Sequence, residues 1–115
     1  MSLISDSKYK MKCIELLNNI VRRPRVFYKE LYELKHIMWG HYYAFHQLEH
    51  IELNDSFNTC FNDWLCKKYK ISGSSGWSYS IKQLASNKNT DPEIIFADNV
   101  HMFIVEWKDN KISES

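Results

Sequence analysis

Residues 22–50 read RRPRVFYKELYELKHIMWGHYYAFHQLEH, and this pattern predicts the longest helix of the chain, from about Lys29 to His50. Apolar side chains recur at the spacing of one helical face, and they are Leu31, Leu34, Met38, Phe45 and Leu48. Aromatic and histidine side chains occupy a second side, namely His36, Trp39, Tyr43, His46 and His50. Because so little of this helix is purely polar, we expect it to be central, with other helices packed on both sides.

The composition favours one all-α domain. The chain has 115 residues, of which 44% are hydrophobic and 25% are charged, and it contains only three glycines and two prolines. A chain of this length can bury one core, and so few glycines and prolines favour long regular elements over turn-rich β structure. We therefore expect a single compact domain over residues 1–115, with about five helices packed around the long central helix. Residues 1–7 and 109–115 are expected to be loose tails.

One further helix is predicted before the central helix in the sequence, and another directly after it. The first runs from about Lys8 to Val21 and ends before Pro24, because the residue before a proline avoids the α region. Its apolar face holds Met11, Ile14, Leu17 and Val21. The next helix starts after a capping residue at 54, 55 or 56. Its apolar positions follow the helical period most regularly, and they are Phe57, Cys60, Phe61, Trp64 and Leu65.

The last third of the chain predicts two more helices. After the segment ISGSSG, residues 71–76, a serine can cap a short helix that carries Trp77, Ile81 and Leu84. Thr90-Asp91-Pro92-Glu93 has the form of a capping box, with Thr90 as the N-cap and Glu93 reaching back. The helix that follows runs to about Trp107, and its inner face holds Phe96, Val100, Phe103 and Trp107. The apolar run His101–Trp107 leaves a terminal strand as an alternative.

Charge and cysteine content limit the classes of partner and compartment. The formal net charge is +1, so no global field draws the chain to nucleic acid or anionic lipid. The three cysteines, Cys13, Cys60 and Cys66, include no Cys-x-x-Cys pair and occupy apolar helical positions, which is typical of buried free thiols. No signal peptide or membrane-spanning run is predicted. We expect a cytoplasmic protein.

The sharpest match to a catalytic motif is His46-Gln47-Leu48-Glu49-His50, which has the His-x-x-Glu-His form of inverted zinc proteases. Two histidines four residues apart share one helical face and could hold zinc beside a glutamate that activates water. Proteases of this kind need a much larger scaffold, and no third-ligand motif follows. A zinc hydrolase that uses His46, Glu49 and His50 is therefore an alternative hypothesis, and we expect no metal.

No other enzyme motif is indicated. Nothing places a cysteine beside a base, and the GSSG segment lacks the Lys-Ser/Thr of a phosphate-binding loop. His41 falls near the apolar stripe of the central helix, where a satisfied core histidine is expected. We expect neither an enzyme nor a bound cofactor.

Two basic clusters offer a further alternative. Arg22-Arg23-Pro24-Arg25 and the lysines Lys67, Lys68 and Lys70 could contact phosphates, with Tyr28 or Tyr69 available for base stacking. Cations also accumulate at the ends of helices without binding a ligand. A small nucleic-acid-binding regulator that uses the arginine turn is the alternative that this pattern supports.

Acidic residues form two groups that fit a basic protein partner. Glu49, Glu52 and Asp55 surround the junction after the central helix, and Asp91, Glu93 and Asp98 lie at the start of the last helix. A protein that blocks a basic, RNA-cleaving partner would present carboxylates in this way, because charge complementarity accelerates encounter and fixes register. Helix caps and solvated faces account for such residues equally well.

The order of landmarks resembles a group of small bacterial immunity proteins that are found beside polymorphic toxins, including those of contact-dependent growth inhibition systems. The matching features are Arg23-Pro24-Arg25-Val26-Phe27-Tyr28, Leu31, Leu34, Gly40-His41-Tyr42, the Phe61–Leu65 segment, Gly76-Trp77, Ile81 and the final helix from Asp91 to Trp107. The likeness covers roughly residues 20–107. The chain departs from the pattern after Tyr28, where Lys29-Glu30 stand in place of the Leu-Gly that relatives often have.

The resemblance implies a mostly helical inhibitor that binds one cognate toxin domain in the cytoplasm and blocks its active site or an essential surface. Several proteins of this group look matched to nuclease toxins, some of the EndoU ribonuclease type. The partner is then a protein and not nucleic acid or membrane, and the sequence leaves the oligomeric state open.

Overall fold

The computed structural model describes the backbone of residues 2–109 and the side chains of residues 8–109. It contains six α-helices and one short 3-10 helix: α1 (Ser2–Arg22), α2 (Pro24–Phe27), α3 (Leu31–Glu49), the 3-10 helix (Leu53–Asp55), α4 (Phe57–Tyr69), α5 (Trp77–Asn87) and α6 (Pro92–Lys108). The described backbone contains no strand, so the all-α class is confirmed. The sixth helix arises because Pro24 starts a one-turn helix of its own, as proline suits the first helical position.

The chain divides into two compact units, and the division falls within α4 after Cys60. The first unit contains α1 to α3, the 3-10 helix and the start of α4, and the second contains the remainder of α4, α5 and α6. The single-domain organisation stays a prediction. Of the two predicted tails, residues 110–115 lie outside the described residues, and α1 begins at Ser2, six residues before the predicted start at Lys8. With 21 residues α1 is longer than α3, which has 19, so the prediction that the central helix is the longest is wrong.

The first unit is built on the packing of α1 against α3. Its buried side chains are Tyr9, Cys13, Leu17 and Ile20 from α1, and Leu31, Leu34, Met38 and Tyr42 from α3. Tyr9 also binds the next element, because its hydroxyl oxygen accepts a hydrogen bond of 3.0 Å from the backbone N–H of Phe57. A buried tyrosine needs such a partner for its hydroxyl group.

Two predicted core positions of the first unit are wrong. Met11 is 63% exposed and Leu48 is 82% exposed. At about 100° per residue, Met11 lies roughly 160° around α1 from the centre of its buried face, and Leu48 lies roughly 100° around α3 from Leu31. Both side chains therefore point away from the core, and Ile51, which follows the end of α3, is fully buried.

Capping also differs from the sequence prediction. The predicted capping box at Thr90 is wrong: Asp91 is the N-cap of α6 and accepts a 2.9 Å hydrogen bond from the backbone N–H of Glu93, while Thr90 donates to the carbonyl of Lys88. The reason is Pro92, which holds the residue before it in an extended conformation, as an N-cap requires. A capping-box arrangement is present instead at α3, where the side chain of Glu33 accepts from the N–H of Glu30, and the N–H of Glu33 donates to the carbonyl of Glu30 at 2.9 Å.

The Glu33 carboxylate gives the start of α3 a testable pH dependence. It accepts hydrogen bonds from the backbone N–H groups of Lys29 and Glu30, at 2.8 and 3.1 Å, and these bonds lower the pKa of Glu33 below its ordinary value of 4.5. Because the folded-state pKa is the lower one, the stabilisation is present above pH 4.5 and is lost as the pH falls through the folded-state pKa. We expect a Glu33→Gln variant to lose less stability than the wild type over this acidic range in urea titrations at several pH values. Equal losses would contradict this account of the capping box.

The second unit has an aromatic core, and α5 packs against α6 in it. Its buried rings are Phe61, Trp64, Trp77, Phe96, Phe103 and Trp107. The predicted inner face of α6 is confirmed, and residues 101–107 are helical, so the strand alternative is wrong. The predicted serine cap of α5 is also wrong, because the N-cap is Gly76, whose φ of 90° favours glycine.

Gly73, between α4 and α5, provides a second prediction. Its φ is +71°, its carbonyl accepts a 3.1 Å hydrogen bond from the side chain of Asn62, and an added Cβ would overlap the Cys66 sulfur. We expect Gly73→Ala to lower the free energy of unfolding by about 1–3 kcal/mol, measured by urea denaturation, because of the left-handed backbone and the overlap.

The control is Gly40→Ala. Gly40 is exposed within α3, and apart from the adjacent residues and the backbone of the helix itself no described atom lies within 4 Å of where its Cβ would be. Alanine there should raise stability by up to about 1 kcal/mol through helix propensity alone. A Gly73 variant as stable as the wild type would contradict the conformation described for this loop.

Candidate protein interaction surface

The outer side of α3 carries a row of rings that we call the α3 aromatic stripe. It consists of Tyr32, His36, Trp39, Tyr43, His46 and His50, which recur at helical spacing. The buried face of the helix lies roughly 115° around from this row, so the row flanks the core of the first unit. Tyr32 and Tyr43 are 51% and 55% exposed, whereas Trp39 is half-buried. The sequence predicted five of these six residues on one side, and Tyr32 extends the stripe by one turn.

Ring contacts hold most of the stripe in a fixed arrangement. Tyr43 stacks on Trp39 at 5.9 Å between ring centroids, and its other neighbour is the buried ring of Tyr42 at 5.2 Å. Tyr32 meets His36 edge to face at 6.3 Å. Aromatic pairs at these separations contribute more stability than the burial of their surface area alone would give. The exposed face of Tyr43 is therefore preorganised before any partner arrives.

The C-terminal end of the stripe is held by the carbonyl of Ile51. This oxygen accepts a 2.8 Å hydrogen bond from the Tyr42 hydroxyl and lies 2.9 Å from Nδ1 of His46. Because a carbonyl only accepts, Nδ1 of His46 carries the proton. His50 ends the helix in the left-handed conformation, with φ of 52°, and its ring lies 5.2 Å from that of His46.

The zinc hypothesis assigned His46, Glu49 and His50 to one site. In the structure Glu49 pairs with Lys8 at 3.5 Å, and Nε2 of His50 lies 3.9 Å from the carboxylate of Glu52. The side chains described, those of residues 8–109, include no group of three or more His, Cys, Asp or Glu placed to hold a metal ion. The hypothesis stays a prediction.

The first predicted group of carboxylates lies beside the end of the stripe. Glu49 is the last residue of α3 and is half-buried, whereas Glu52 and Asp55 are exposed on the turn that follows. This turn is fixed by a 2.9 Å hydrogen bond from the N–H of Asp55 to the carbonyl of Glu52. One exposed leucine, Leu53, belongs to the same turn as the two exposed carboxylates. The result is an aromatic surface with negative charge at one end.

The second predicted group of carboxylates lies on α6. Asp91 is the N-cap, so helix capping accounts for its presence. Glu93 is half-buried in the first turn, and Asp98 is exposed one turn further on. Members of both groups thus have local partners, and the group at the end of α3 is the better candidate for contact with a partner because it lies beside the α3 aromatic stripe.

His41 does not match the satisfied core histidine that the sequence predicts. Its half-buried ring packs against Tyr9 at 5.6 Å and Phe45 at 5.0 Å, which confirms its place beside the apolar stripe. Its buried Nδ1, however, has no hydrogen-bond partner among the described residues. Burial lowers the pKa of His41, because the charged ring loses solvation there.

The basic clusters make local contacts. Arg22 donates a 2.6 Å hydrogen bond to the side chain of Asn19, and Arg23 precedes α2 as its N-cap. In the second unit the ammonium group of Lys68 lies 5.5 Å from the ring centroids of both Trp64 and Tyr69. Nucleic-acid binding by these clusters stays a prediction.

None of the three cysteines forms a disulfide, as predicted, but the predicted burial is wrong for Cys60 and Cys66. Cys13 is buried, which raises the pKa of its thiol, while Cys60 and Cys66 are only half-buried. The described helices include none that is long and apolar enough to cross a membrane. Comparisons with protein-family models, curated proteins and solved structures gave no match to this chain.

Proposed function

We propose that this chain is an immunity protein that binds a cognate toxin domain and neutralises it by direct contact. The observation that carries the proposal is the surface on α3, where an exposed aromatic stripe ends beside Glu49, Glu52 and Asp55. The sequence resemblance to the immunity proteins of contact-dependent growth inhibition and other polymorphic toxin systems supports the class of partner.

The aromatic part of this surface has the chemistry of an interface core. Tyrosine and tryptophan are enriched at binding hot spots. Such residues contribute most to affinity where the free protein already restricts their side chains, because little conformational entropy is then lost on binding. Tyr43 meets this condition because Trp39 and Tyr42 already fix its ring.

The charged part of the surface favours a basic partner. Glu52 and Asp55 are exposed, and their turn is hydrogen-bonded. A nuclease presents cations to the phosphates of its substrate, so its active surface is positively charged. Carboxylates on a preformed turn would therefore steer and orient such a toxin. We propose a nuclease as the target, with the EndoU-type ribonucleases as the example that the resemblance suggests.

Co-expression tests this function. A toxin domain encoded by the adjacent reading frame is expressed alone and together with this chain, and growth is recorded. The proposal expects growth arrest with the toxin alone and normal growth with both. Arrest that persists when the chain is present at the same level would contradict it.

Charge reversal then tests the surface. Glu52→Lys is expected to slow association with the toxin by about tenfold at low salt, because it places a cation against a basic partner. The same change at Asp98, an exposed carboxylate of the second unit, is the matched control and should leave the association rate unchanged. Equal effects from both variants would contradict the assignment to the α3 surface.

A further inference from the structure

The second unit contains an open cavity of about 190 Å³ between the loop before α5 and the outward side of α5. It is lined by Ile71, Ser72, Gly73, Ser74, Ser75, Tyr79, Ser80, Gln83, Leu84 and Asn87. Its volume equals roughly six water molecules at their share of the liquid. The cavity therefore has the size of one small ring compound.

The lining carries no charge, and most of its exposed area is apolar. Its ten residues include no acid, no base and no histidine, although 25% of the chain is charged. An ionic ligand would lose hydration on entry without gaining an ion pair. The chemistry of the lining therefore favours a neutral ligand.

Several polar groups of the lining are available to a ligand. Tyr79, Gln83 and Asn87 recur at every fourth residue along one exposed side of α5. Within the described part of the chain, the amides of Gln83 and Asn87 have no hydrogen-bond partner. A carboxamide both donates and accepts, and so does an alcohol. Two amides one turn apart can thus bind neighbouring hydroxyl groups of one molecule.

The wall opposite α5 is fixed before a ligand binds. The carbonyl of Gly73 accepts hydrogen bonds from the side chain of Asn62 at 3.1 Å and from the N–H of Gly76 at 3.1 Å. The Ser72 hydroxyl oxygen accepts from the N–H of Ser74 at 3.1 Å and lies 3.0 Å from the Ser74 hydroxyl. A preformed wall reduces the entropy cost of binding.

From these features we propose that the cavity binds an uncharged ring of monosaccharide size, with an apolar face and with hydroxyl groups along one edge. The amides of Gln83 and Asn87 bind its hydroxyl groups, and the half-exposed ring of Tyr79 covers its apolar face. Ligand sites combine such an apolar wall with a few convergent polar groups. This proposal does not depend on the immunity function, because its residues belong to a different unit from the α3 surface.

Titration of the isotopically labelled protein tests the site by nuclear magnetic resonance. The probes are glucose, galactose, N-acetylglucosamine and ribose, with glucose 6-phosphate and glucosamine as charged counterparts. We expect saturable shifts in residues 71–87 for at least one neutral sugar, with a dissociation constant of about 1–10 mM for a ligand this small. Both charged sugars should bind more weakly than the neutral sugar that binds best.

Two variants and one control locate the site. Tyr79→Ala and Gln83→Ala should each weaken binding by about tenfold or more, as loss of a stacking wall or a hydrogen-bonding pair would. Lys82→Ala, an exposed position of the same helix outside the lining, should bind like the wild type, and all three should keep the wild-type spectrum elsewhere. The absence of saturable shifts with every neutral sugar would overturn the proposal, as would binding that both variants leave intact.

Discussion

Replacing Phe61 with alanine is expected to lower the free energy of unfolding by about 3–5 kcal/mol. The side chain is fully buried in the second unit, and its ring centroid lies 5.2 Å from that of Phe103 and 5.4 Å from that of Trp77. Truncation removes buried area and also leaves a cavity between rings that cannot all move inward. Urea denaturation with a fixed m-value measures the loss.

The matched control for Phe61 is Ile94→Ala. Ile94 belongs to α6 in the same unit but is 53% exposed, so its truncation should change stability by less than about 0.5 kcal/mol. If Phe61→Ala unfolded at the wild-type urea concentration, the aromatic core described for this unit would be wrong. The sequence predicts the same large loss for Trp39→Ala on condition of full burial, and the half-buried Trp39 does not meet that condition.

Replacing Tyr43 with alanine is expected to weaken toxin binding by about 2 kcal/mol or more, close to thirtyfold in the dissociation constant. Tyr43 is 55% exposed, and stacking on Trp39 holds its ring. An exposed ring that is already ordered can bury its area against a partner at a low entropy cost. Isothermal titration calorimetry with the purified toxin domain measures the change.

Tyr79→Ala is the matched control for Tyr43. Tyr79 is the same residue type, is 52% exposed and belongs to the second unit. Its loss should leave toxin affinity unchanged, and thermal unfolding should show that both variants remain folded. Wild-type affinity in Tyr43→Ala would remove the α3 aromatic stripe from the binding surface, whichever protein the partner proves to be.

The helices could be predicted from the sequence because apolar residues repeat with the helical period. The pattern from Phe57 to Leu65 and the pattern from Phe96 to Trp107 are both confirmed, since buried residues at these spacings define a single face. The prediction is wrong for Met11 and Leu48, which lie at the edges of the predicted apolar stripes. The residue type at an edge position does not indicate on which side of it the partner helix packs. That direction depends on packing, which the local sequence does not determine.

Helix starts were predicted less well than helix faces. A Thr-x-x-Glu pattern indicates a capping box at Thr90, but Pro92 shifts the cap to Asp91. Glu30 is the N-cap of α3 although glutamate is not among the preferred capping residues. The start of this helix therefore has no capping pattern that the sequence analysis could recognise. Capping at both positions depends on backbone conformation more than on residue type.

The candidate surface could be predicted only in part. Periodicity placed His36, Trp39 and Tyr43 on one side of the central helix, and Tyr32, four residues before His36, could have been added by the same rule. The pattern did not predict that Tyr43 would be exposed while Tyr42, the residue before it, would be buried. The cavity beside α5 has no sequence signal, because it depends on how residues 71–75 fold back toward that helix.

The central claim is that this chain inhibits a toxin by binding it, and titration of toxin activity tests that claim most directly. The purified nuclease domain from the adjacent reading frame is assayed with increasing amounts of this protein. The account predicts that activity falls linearly and ends at an equimolar ratio, with Tyr43→Ala requiring more protein and Tyr79→Ala behaving like the wild type. Full nuclease activity in a large molar excess of the folded protein would contradict it.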